Sequence, residues 1–247
     1  MDRNLVIIPT YNECENIAAI IDAVIYQPTV FEILVIDDAS PDCTASIVRE
    51  KQKEYPDRIH LLEREGKLGL GTAYITGFKW ALEHGFDYIF EMDADFSHNP
   101  ADLNALYRAC AIEGADMAIG SRYLTGVNVV NWPIGRVLMS YYASAYVRIV
   151  TRMPVRDATA GFVCYSRRVL NALPLDDIRF KGYAFQIEMK FMTWLYKFKI
   201  KEVPIVFVNR VLGTSKMNSG IFSEAFFGII RLKLSSLFHK YPDYSKK

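Results

Sequence analysis

The stretch YIFEMDADFSH, from Tyr88 to His98, decides the fold of this 247-residue chain. An apolar run leads directly into two aspartates, Asp93 and Asp95, which stand two residues apart. In an extended chain alternate side chains lie on one face, so both carboxylates can converge on one ligand. We expect them at the carboxyl end of a strand, which is where open α/β sheets bind ligands.

Carboxylate oxygens are the ligands that hard cations prefer, and Mg²⁺ is commonly held by one or two carboxylates together with substrate phosphates. Asp93 and Asp95 are therefore predicted to bind Mg²⁺ or Mn²⁺, which would neutralise a diphosphate leaving group. Two acids in a solvated loop are the alternative explanation, and the apolar strand before them favours the metal site.

Short apolar runs alternate with amphipathic stretches on both sides of this segment. Strands are predicted at residues 5–8, 32–37, 59–62, 88–92 and 116–119, with helices between them at 16–26, 44–55, 69–84 and 100–113. The alternation predicts an α/β fold with a mostly parallel central sheet flanked by helices. After residue 121 the pattern changes, with helices predicted at 133–151, 185–198 and 221–238 and one strand at 203–209.

Polar residues follow two more of these strands. Asp37 and Asp38 end the second strand, and Tyr11 and Glu13 follow the first. Such groups at strand ends can bind a ribose diol and a base edge, although Asp, Asn and Pro also mark ordinary turns.

The segment GKLGLG, residues 66–71, precedes a predicted helix. Its glycines permit close approach of a ligand to the backbone, and Lys67 can face a phosphate. A plain glycine turn is the alternative explanation. The segment lacks the spacing of a Walker A loop and of GxGxxG, which argues against a dehydrogenase.

The two halves of the chain carry opposite charge. Residues 1–120 include 9 Lys or Arg and 21 Asp or Glu, whereas residues 121–247 include 20 Lys or Arg and 7 Asp or Glu. Scattered solvated charge is one explanation, and the other is an acidic half that gathers a cation and a basic half that meets phosphates. The cysteines form no CxxC pair, the histidines show no metal-ligand spacing, and no secretory signal or run of about 18 apolar residues is present. We therefore expect a cytoplasmic protein without a membrane span.

A second anion site is predicted in the basic half. Arg136 and Ser140 lie four residues apart near the amino end of a predicted helix, where free N–H groups and the helix dipole favour an anion. Arg122 follows another predicted strand, so these three side chains are expected to form one phosphate pocket. Surface arginines with a core-facing Ser140 are the alternative. Arg210 and Lys216 are expected on a loop that closes over phosphates and excludes water.

Several motifs resemble, in their order, the family 2 glycosyltransferases of the GT-A fold: PTYNE (9–13), VIDD (35–38), GLGTA (69–73) and MDAD (92–95). The later motifs GSRY (120–123), DATAGF (157–162) and RVLGTSKM (210–217) are similar to those of dolichyl- or polyprenyl-phosphate mannose synthases of the type without transmembrane helices. The resemblance runs from residue 4 to residue 217, and the ordered set is specific although each motif alone is not.

The resemblance implies a Rossmann-like GT-A nucleotide-diphospho-sugar transferase fold. One catalytic domain would span residues 1–220, with a nucleotide-sugar half at 1–120 and an acceptor half at 121–220, followed by a C-terminal amphipathic helix and tail at 221–247. The implied reaction is an inverting transfer of mannose from GDP-mannose to a polyprenyl phosphate. A transferase that uses UDP-glucose or another UDP-sugar is one alternative, and a non-catalytic nucleotide-sugar-binding subunit is another. No nucleic-acid partner is expected.

The resemblance also implies roles for individual residues. The sugar nucleotide is expected to contact Pro9, Tyr11, Glu13, Ile36, Asp37, Lys67, Gly71, Asp93 and Ala94. Asp95 is expected to be the central metal ligand and to act in catalysis with Arg122, Arg136 and Arg210. The acceptor phosphate is expected to contact Arg122, Arg136, Ser140 and Lys216. Glu188 matches a family motif and is expected either to align the sugar or to be a solvated helix acid.

The last predicted helix carries an apolar stripe formed by Phe227, Ile230, Leu234, Leu237, Phe238 and Tyr241. Core packing, binding at the cytoplasmic face of a membrane, and docking on a membrane partner subunit are all open explanations of such a stripe.

Overall fold

Seven strands form the central sheet in the order β3-β2-β1-β4-β7-β5-β8 in this computed structural model, which describes residues 2–182, 184–209 and 220–245. The first four, β1 (Asn4–Thr10), β2 (Glu32–Asp37), β3 (Ile59–Glu63) and β4 (Tyr88–Glu91), pair in parallel. β5 (Met117–Ser121) and β8 (Ile200–Pro204) also pair in parallel, whereas β7 (Val163–Ser166) runs antiparallel between β4 and β5. The predicted mostly parallel sheet is confirmed, and it contains strands from both halves of the chain.

Helices cover both faces of this sheet. They are α1 (Ile17–Ile25), α2 (Thr44–Glu54), α3 (Leu70–Glu83), α4 (Leu103–Tyr107), α5 (Ile134–Thr151), α6 (Arg167–Ala172), α7 (Ala184–Leu195) and α8 (Gly220–Ser236). The single helix predicted at 100–113 is instead a 3₁₀ turn (Pro100–Asp102), then α4, then a π-helical turn (Arg108–Ile112). The sequence patterns did not predict α6 or β7.

Two apolar clusters form the core, one on each face of the sheet. Leu5 and Ile7 of β1 lie in the cluster that includes α3 and α7, while Val6 and Ile8 lie in the cluster that includes α1 and α4. Because successive strand residues point to opposite faces, a strand covered on both sides must be apolar throughout. This is why β1 and β2 have continuous apolar sequences rather than alternating ones.

The strand predicted at 203–209 is wrong in its bounds. Residues 200–204 form the edge strand β8, and the chain then continues into β9 (Phe207–Val208), which pairs in parallel with β6 (Val129–Val130) in a separate two-stranded sheet. The N–H of Ile205 still donates to the Ser121 carbonyl of β5 at 3.1 Å, and after this bond the chain breaks away from the central sheet. The break allows the backbone N–H of Val208 to reach the carbonyl of Ser97 at 3.2 Å, beside the acidic loop.

Helix α8 is partly buried and partly exposed. Ile229 and Leu232 lie in the core, and the Tyr146 ring of α5 stacks on Phe226 with ring centroids 4.5 Å apart. On the opposite side the helix exposes Phe227 and Leu234, by 70% and 53%, and Leu237 and Phe238 just after its end are 64% and 86% exposed. Core packing and an outward apolar surface therefore coexist on this helix. Among the residues that the structure describes, no helix is both long enough and apolar enough to cross a membrane.

Candidate active site

The acidic loop follows β4 at the carboxyl edge of the sheet, as the sequence predicts. The Asp95 residue is only 6% exposed and its Oδ1 accepts the backbone N–H of Ser97 at 3.0 Å, whereas the Asp93 side chain is 41% exposed. Phe96 between Asp95 and Ser97 adopts a positive φ of 58°, a conformation that non-glycine residues rarely take outside tight turns and functional sites. The turn is therefore shaped by contacts within the protein itself.

His98 helps to hold that shape, a role that the sequence analysis missed. The backbone N–H of Asp93 donates to His98 Nδ1 at 3.3 Å, and the imidazole stacks on Phe162 with centroids 4.8 Å apart. Burial lowers the pKa of the His98 imidazole to about 4, so the ring is neutral and Nδ1 can accept a hydrogen bond. The only sequence signal for this role is that His98 stands three residues after Asp95, in the same turn.

The end of β2 meets the end of β1 because Thr10 is the register partner of Asp37. The Asp37 carboxylate accepts the Thr10 hydroxyl at 2.8 Å and the Ser40 backbone N–H and hydroxyl at 2.9 and 2.6 Å. Asp37 is buried, so these hydrogen bonds satisfy a carboxylate that would otherwise be costly to bury. Asp37 thus shapes the turn in which it lies.

Arg64, which the sequence analysis did not select, ties this edge to α3. It donates to both oxygens of Asp38 at 2.6 and 2.7 Å, and its Nη1 donates to the Thr72 hydroxyl at 2.8 Å. Burial raises the pKa of Asp38 and the Arg64 guanidinium opposes that rise. The paired donors of an arginine suit such a bidentate contact.

The other residues predicted to contact a sugar nucleotide lie along the same edge. Pro9 and Ile36 are register partners, but the whole Ile36 residue is fully buried, so its predicted contact with the sugar nucleotide stays a prediction. Ala94 is buried between the two aspartates. The Glu13 carboxylate accepts the Asn16 side-chain amide at 3.1 Å at the start of α1.

The glycine segment packs closely against residues 180–181 of the same chain. The Gly71 N–H donates to the Lys181 carbonyl at 2.8 Å, and a Cβ on Gly71 would lie 2.8 Å from the Phe180 carbonyl oxygen. Packing against residues 180–181 therefore accounts for Gly71 without a phosphate, and its predicted contact with the sugar nucleotide stays a prediction. The Lys67 ammonium lies 5.0 Å from the centre of the Tyr11 ring, so these two predicted residues meet.

Arg122 is held rigidly by Asp157. Its backbone N–H and its Nε donate to Asp157 Oδ2 at 2.9 and 2.7 Å, its Nη2 donates to Oδ1 at 2.6 Å, and Nη2 also donates to the Thr159 hydroxyl at 2.8 Å. Both members of the ion pair are buried. The guanidinium group is consequently fixed in one plane next to the acidic loop.

Trp132 brings the predicted phosphate residues together. The guanidinium carbon of Arg136 lies 4.1 Å from the centre of a Trp132 ring and that of Arg122 lies 5.6 Å from it. Arg136 Nη1 also donates to Asn209 at 3.0 Å, and Ser140 lies beside the Tyr123 hydroxyl, whose ring faces Arg122. Two positive charges and a hydroxyl therefore share one place, as the sequence predicts, although their role as phosphate ligands stays a prediction.

Glu188 is not a solvated helix acid. It is buried on α7, and its Oε2 accepts the backbone N–H groups of Arg179 and Phe180 at 2.9 and 3.0 Å. Burial raises the pKa of this carboxyl, and the two N–H donors oppose the rise. Glu188 thus holds the segment that covers Gly71. The other two predicted residues, Arg210 and Lys216, lie outside the described residues.

A mostly parallel sheet with an acidic loop at its carboxyl edge, beside a pair of arginines, is the GT-A form of the α/β sugar-nucleotide transferases. Residues 5–173 match Glycosyl transferase family 2, and the chain belongs to this family. It is therefore a glycosyltransferase, which sets aside the alternative of a non-catalytic subunit.

Two curated relatives are similar over nearly the whole chain. The polyprenol monophosphomannose synthase of Mycolicibacterium smegmatis is 44% identical over 227 residues, which are 92% of this chain and 85% of that protein. The undecaprenyl-phosphate mannosyltransferase of Micrococcus luteus is 44% identical over 234 residues, which are 95% of each protein.

Among solved structures, the glucosyl-3-phosphoglycerate synthase of Mycobacterium tuberculosis has a similar fold. Its complex with Mn²⁺, UDP and glucosyl-3-phosphoglycerate superposes with a TM-score of 0.68 at 19% identity, over 98% of this chain and 82% of that one. Its complex with Mg²⁺ and UDP gives a TM-score of 0.67 at 19% identity, over 98% and 81%. This likeness confirms the GT-A fold.

Proposed function

We propose that the protein transfers mannose from GDP-mannose to a polyprenyl phosphate, with inversion, and releases GDP. The observation that carries this proposal is the placement of Arg122 and Arg136 on one Trp132 ring, next to the loop of Asp93 and Asp95. Such a site supplies charge for two anions, a diphosphate that leaves and a phosphate that attacks. The names of the two relatives at 44% identity support mannose and a polyprenyl phosphate as the reactants.

Asp93 and Asp95 would hold a divalent cation, Mg²⁺ or Mn²⁺. The residues fit such an ion because Asp95 is a buried carboxylate fixed by the Ser97 N–H, and hard oxygen ligands on a rigid loop suit both metals. When bound, the ion would offset the charge that grows on the diphosphate as its bond to the sugar breaks. Complexes of the glucosyl-3-phosphoglycerate synthase with Mn²⁺ and Mg²⁺ agree with this choice.

The arginines would position the acceptor. A phosphate monoester is already anionic near neutral pH, so its oxygen needs little help from a general base. Arg122 is fixed by Asp157 and Arg136 by the Trp132 ring and Asn209, and fixed donors align an attacking oxygen with the anomeric carbon. Positioning and charge neutralisation would then account for most of the catalysis.

The apolar surface around α5 supports contact with a membrane. The helix that carries Arg136 and Ser140 also exposes large apolar side chains, and α8 beside it does the same; they are Ile134, Leu138, Met139, Tyr142, Ile149, Phe227, Leu234, Leu237 and Phe238. A lipid whose phosphate lies at Arg136 would extend along this surface. The proposed location is therefore peripheral, on the cytoplasmic face of a membrane, with a membrane partner subunit as the alternative occupant.

A transfer assay tests the reaction. Purified protein is incubated with labelled GDP-mannose or UDP-glucose, Mn²⁺ and a polyprenyl phosphate, and labelled lipid is expected from GDP-mannose alone. Asp95→Asn should abolish transfer, while Asp102→Asn, a partly buried acid outside the loop, should not. If labelled lipid forms from UDP-glucose instead, the donor is UDP-glucose and not GDP-mannose. Full activity of Asp95→Asn would refute the metal site.

The two anion sites can be separated by kinetics. Arg136→Ala should raise KM for the lipid phosphate with donor binding little changed, whereas Arg148→Ala, in the last turn of the same helix, should leave both unchanged. If Arg136→Ala loses binding of the sugar nucleotide instead, Arg136 contacts the donor diphosphate and not the acceptor phosphate.

Sedimentation with anionic liposomes tests the membrane surface. Phe227→Glu with Phe238→Glu should weaken binding, because charged side chains would replace two exposed rings. Ile112→Glu, which replaces an exposed apolar residue of the π-helical turn, is the matched control. Equal binding by the wild type, the double variant and the control would reject the membrane role of α8.

A further inference from the structure

A carboxyl group and an ammonium group are buried beneath the acidic loop. Glu91 is the last residue of β4, Lys190 lies in the middle of α7, and both are fully buried. Burial lowers the pKa of the Lys190 ammonium group to about 8, and the nearby Glu91 carboxyl opposes that fall. Burial of an ammonium group costs free energy that a well-packed apolar residue would avoid, so Lys190 calls for an explanation other than stability.

The hydrogen bonds of Lys190 supply that explanation. Its Nζ donates to the Ala160 carbonyl at 2.6 Å, and to the carbonyl and side-chain oxygen of Gln186, both at 3.1 Å. The bond to Ala160 crosses from α7 to the segment that enters β7. A charge-assisted bond of this length in the interior holds its acceptor more firmly than a neutral one.

The segment held in this way is the one that fixes Arg122. Residues 157–161 include Asp157 and Thr159, which accept the hydrogen bonds of the Arg122 guanidinium group. Glu91, which is near enough to Lys190 to interact with it electrostatically, stands two residues before Asp93 in the strand that leads to the acidic loop. Lys190 therefore lies where the strand for the sugar donor and the segment for the acceptor meet.

We propose that Lys190 is a positioning residue for the transfer reaction, which holds residues 157–161 against α7 and so sets the Arg122 guanidinium group relative to Asp93 and Asp95. Neither Lys190 nor Glu91 acts on a substrate directly, and the effect passes through Ala160 and Asp157. The role in catalysis rests on the proposed function, whereas the role in holding residues 157–161 does not.

Three variants separate positioning from stability. Lys190→Met keeps most of the side-chain volume but removes the ammonium group and its hydrogen bond to Ala160. The double variant Glu91→Gln with Lys190→Met removes both charges, so no unpaired charge of this pair remains buried. Thr193→Val is the control, since Thr193 is also buried on α7 but its hydroxyl donates to the Met189 carbonyl of its own helix, at 2.7 Å.

Hydrogen–deuterium exchange tests the structural part without any substrate. In the double variant, peptides that cover residues 120–124 and 157–161 should exchange faster by about fivefold or more, since a buried bond to the segment has been lost. Peptides of β1 should be unchanged, and Thr193→Val should match the wild type in all of them. Unchanged exchange at residues 157–161 in the double variant would overturn the proposal, whether or not the protein transfers mannose.

Steady-state kinetics tests the catalytic part. The double variant should melt close to the wild type and still show kcat/KM for the polyprenyl phosphate reduced by roughly tenfold to a hundredfold, with KM for the sugar nucleotide little changed. Wild-type kinetics in the double variant would show that Lys190 serves stability alone. An equal loss for both substrates would also overturn the proposal, because the effect would not be directed at Arg122.

Discussion

Replacement of Asp157 by asparagine is the most informative single change in this protein. The asparagine side chain would have the same shape but no charge, and an NH₂ group would replace one of the two carboxylate oxygens. Both Asp157 oxygens accept from Arg122, at 2.6 to 2.9 Å, so the new NH₂ group would face a donor in either orientation. Arg122 would then be a buried cation without its counter-charge.

The size of the effect follows from the burial of the pair. Removal of one partner from a buried ion pair costs about 3–5 kcal/mol. For a chain of this length each kcal/mol lowers Tm by about 2–4 °C, so Asp157→Asn should melt about 6–20 °C below the wild type. The same variant should also use the polyprenyl phosphate poorly, because Arg122 would no longer be held.

Calorimetry provides the measurement, and an exposed ion pair provides the control. Asp176 pairs with Lys79 and its side chain is 82% exposed, so Asp176→Asn should change the free energy of unfolding by less than about 1 kcal/mol. If Asp157→Asn lowers Tm no more than Asp176→Asn does, the buried pair does not stabilise the fold and the reasoning fails.

Three further outcomes are expected. Gly71→Ala should destabilise the protein by about 1–3 kcal/mol in chemical denaturation, because its Cβ would overlap Phe180, whereas Gly66→Ala, with nothing within 4 Å of its Cβ, should be neutral. Glu188→Gln keeps an acceptor for both backbone N–H groups. Because the pKa of Glu188 is raised in the folded protein, the wild type loses stability as pH rises above the ordinary pKa of glutamate, and the variant should gain stability relative to it over this range. A difference in the free energy of unfolding that stays constant with pH would contradict this. Tyr146→Phe removes a 2.8 Å hydrogen bond from α5 to the α8 backbone, and amide exchange in α8 should quicken while α5 is unaffected.

The sequence predicts the parallel strands well because a strand that is buried on both faces has a continuous run of apolar residues. β2 begins and ends at the residues predicted for it, Glu32 and Asp37, since a strand covered on both faces is a continuous apolar run between polar residues. β7 could not be found in this way. It has four residues, VCYS, and its pairing depends on a partner far away, as Val163 stands opposite Glu91.

In the candidate site too, residues with a local sequence context could be predicted, whereas roles that depend on distant contacts could not. Asp93 and Asp95 are recognisable because their whole context lies within one strand and the turn after it. The sequence predicts that Arg122 and Arg136 meet, but it does not predict the Trp132 ring on which they meet. The role of His98 depends on the backbone N–H of Asp93, which no sequence pattern reports. Buried charges are the hardest to find, because a glutamate such as Glu188 has the same helical spacing whether it faces solvent or the interior.

The position of β7 in the sheet has a consequence for biosynthesis. Within the first 91 residues β4 gains a partner on one side only, and the other side stays open until residue 166 has been made. At translation rates of about 5–20 residues per second, that edge is unpaired for about 4–15 s, and open strand edges are templates for association with other chains. The nascent chain, rather than the finished enzyme, is thus the species most exposed to aggregation and the one for which chaperones matter most.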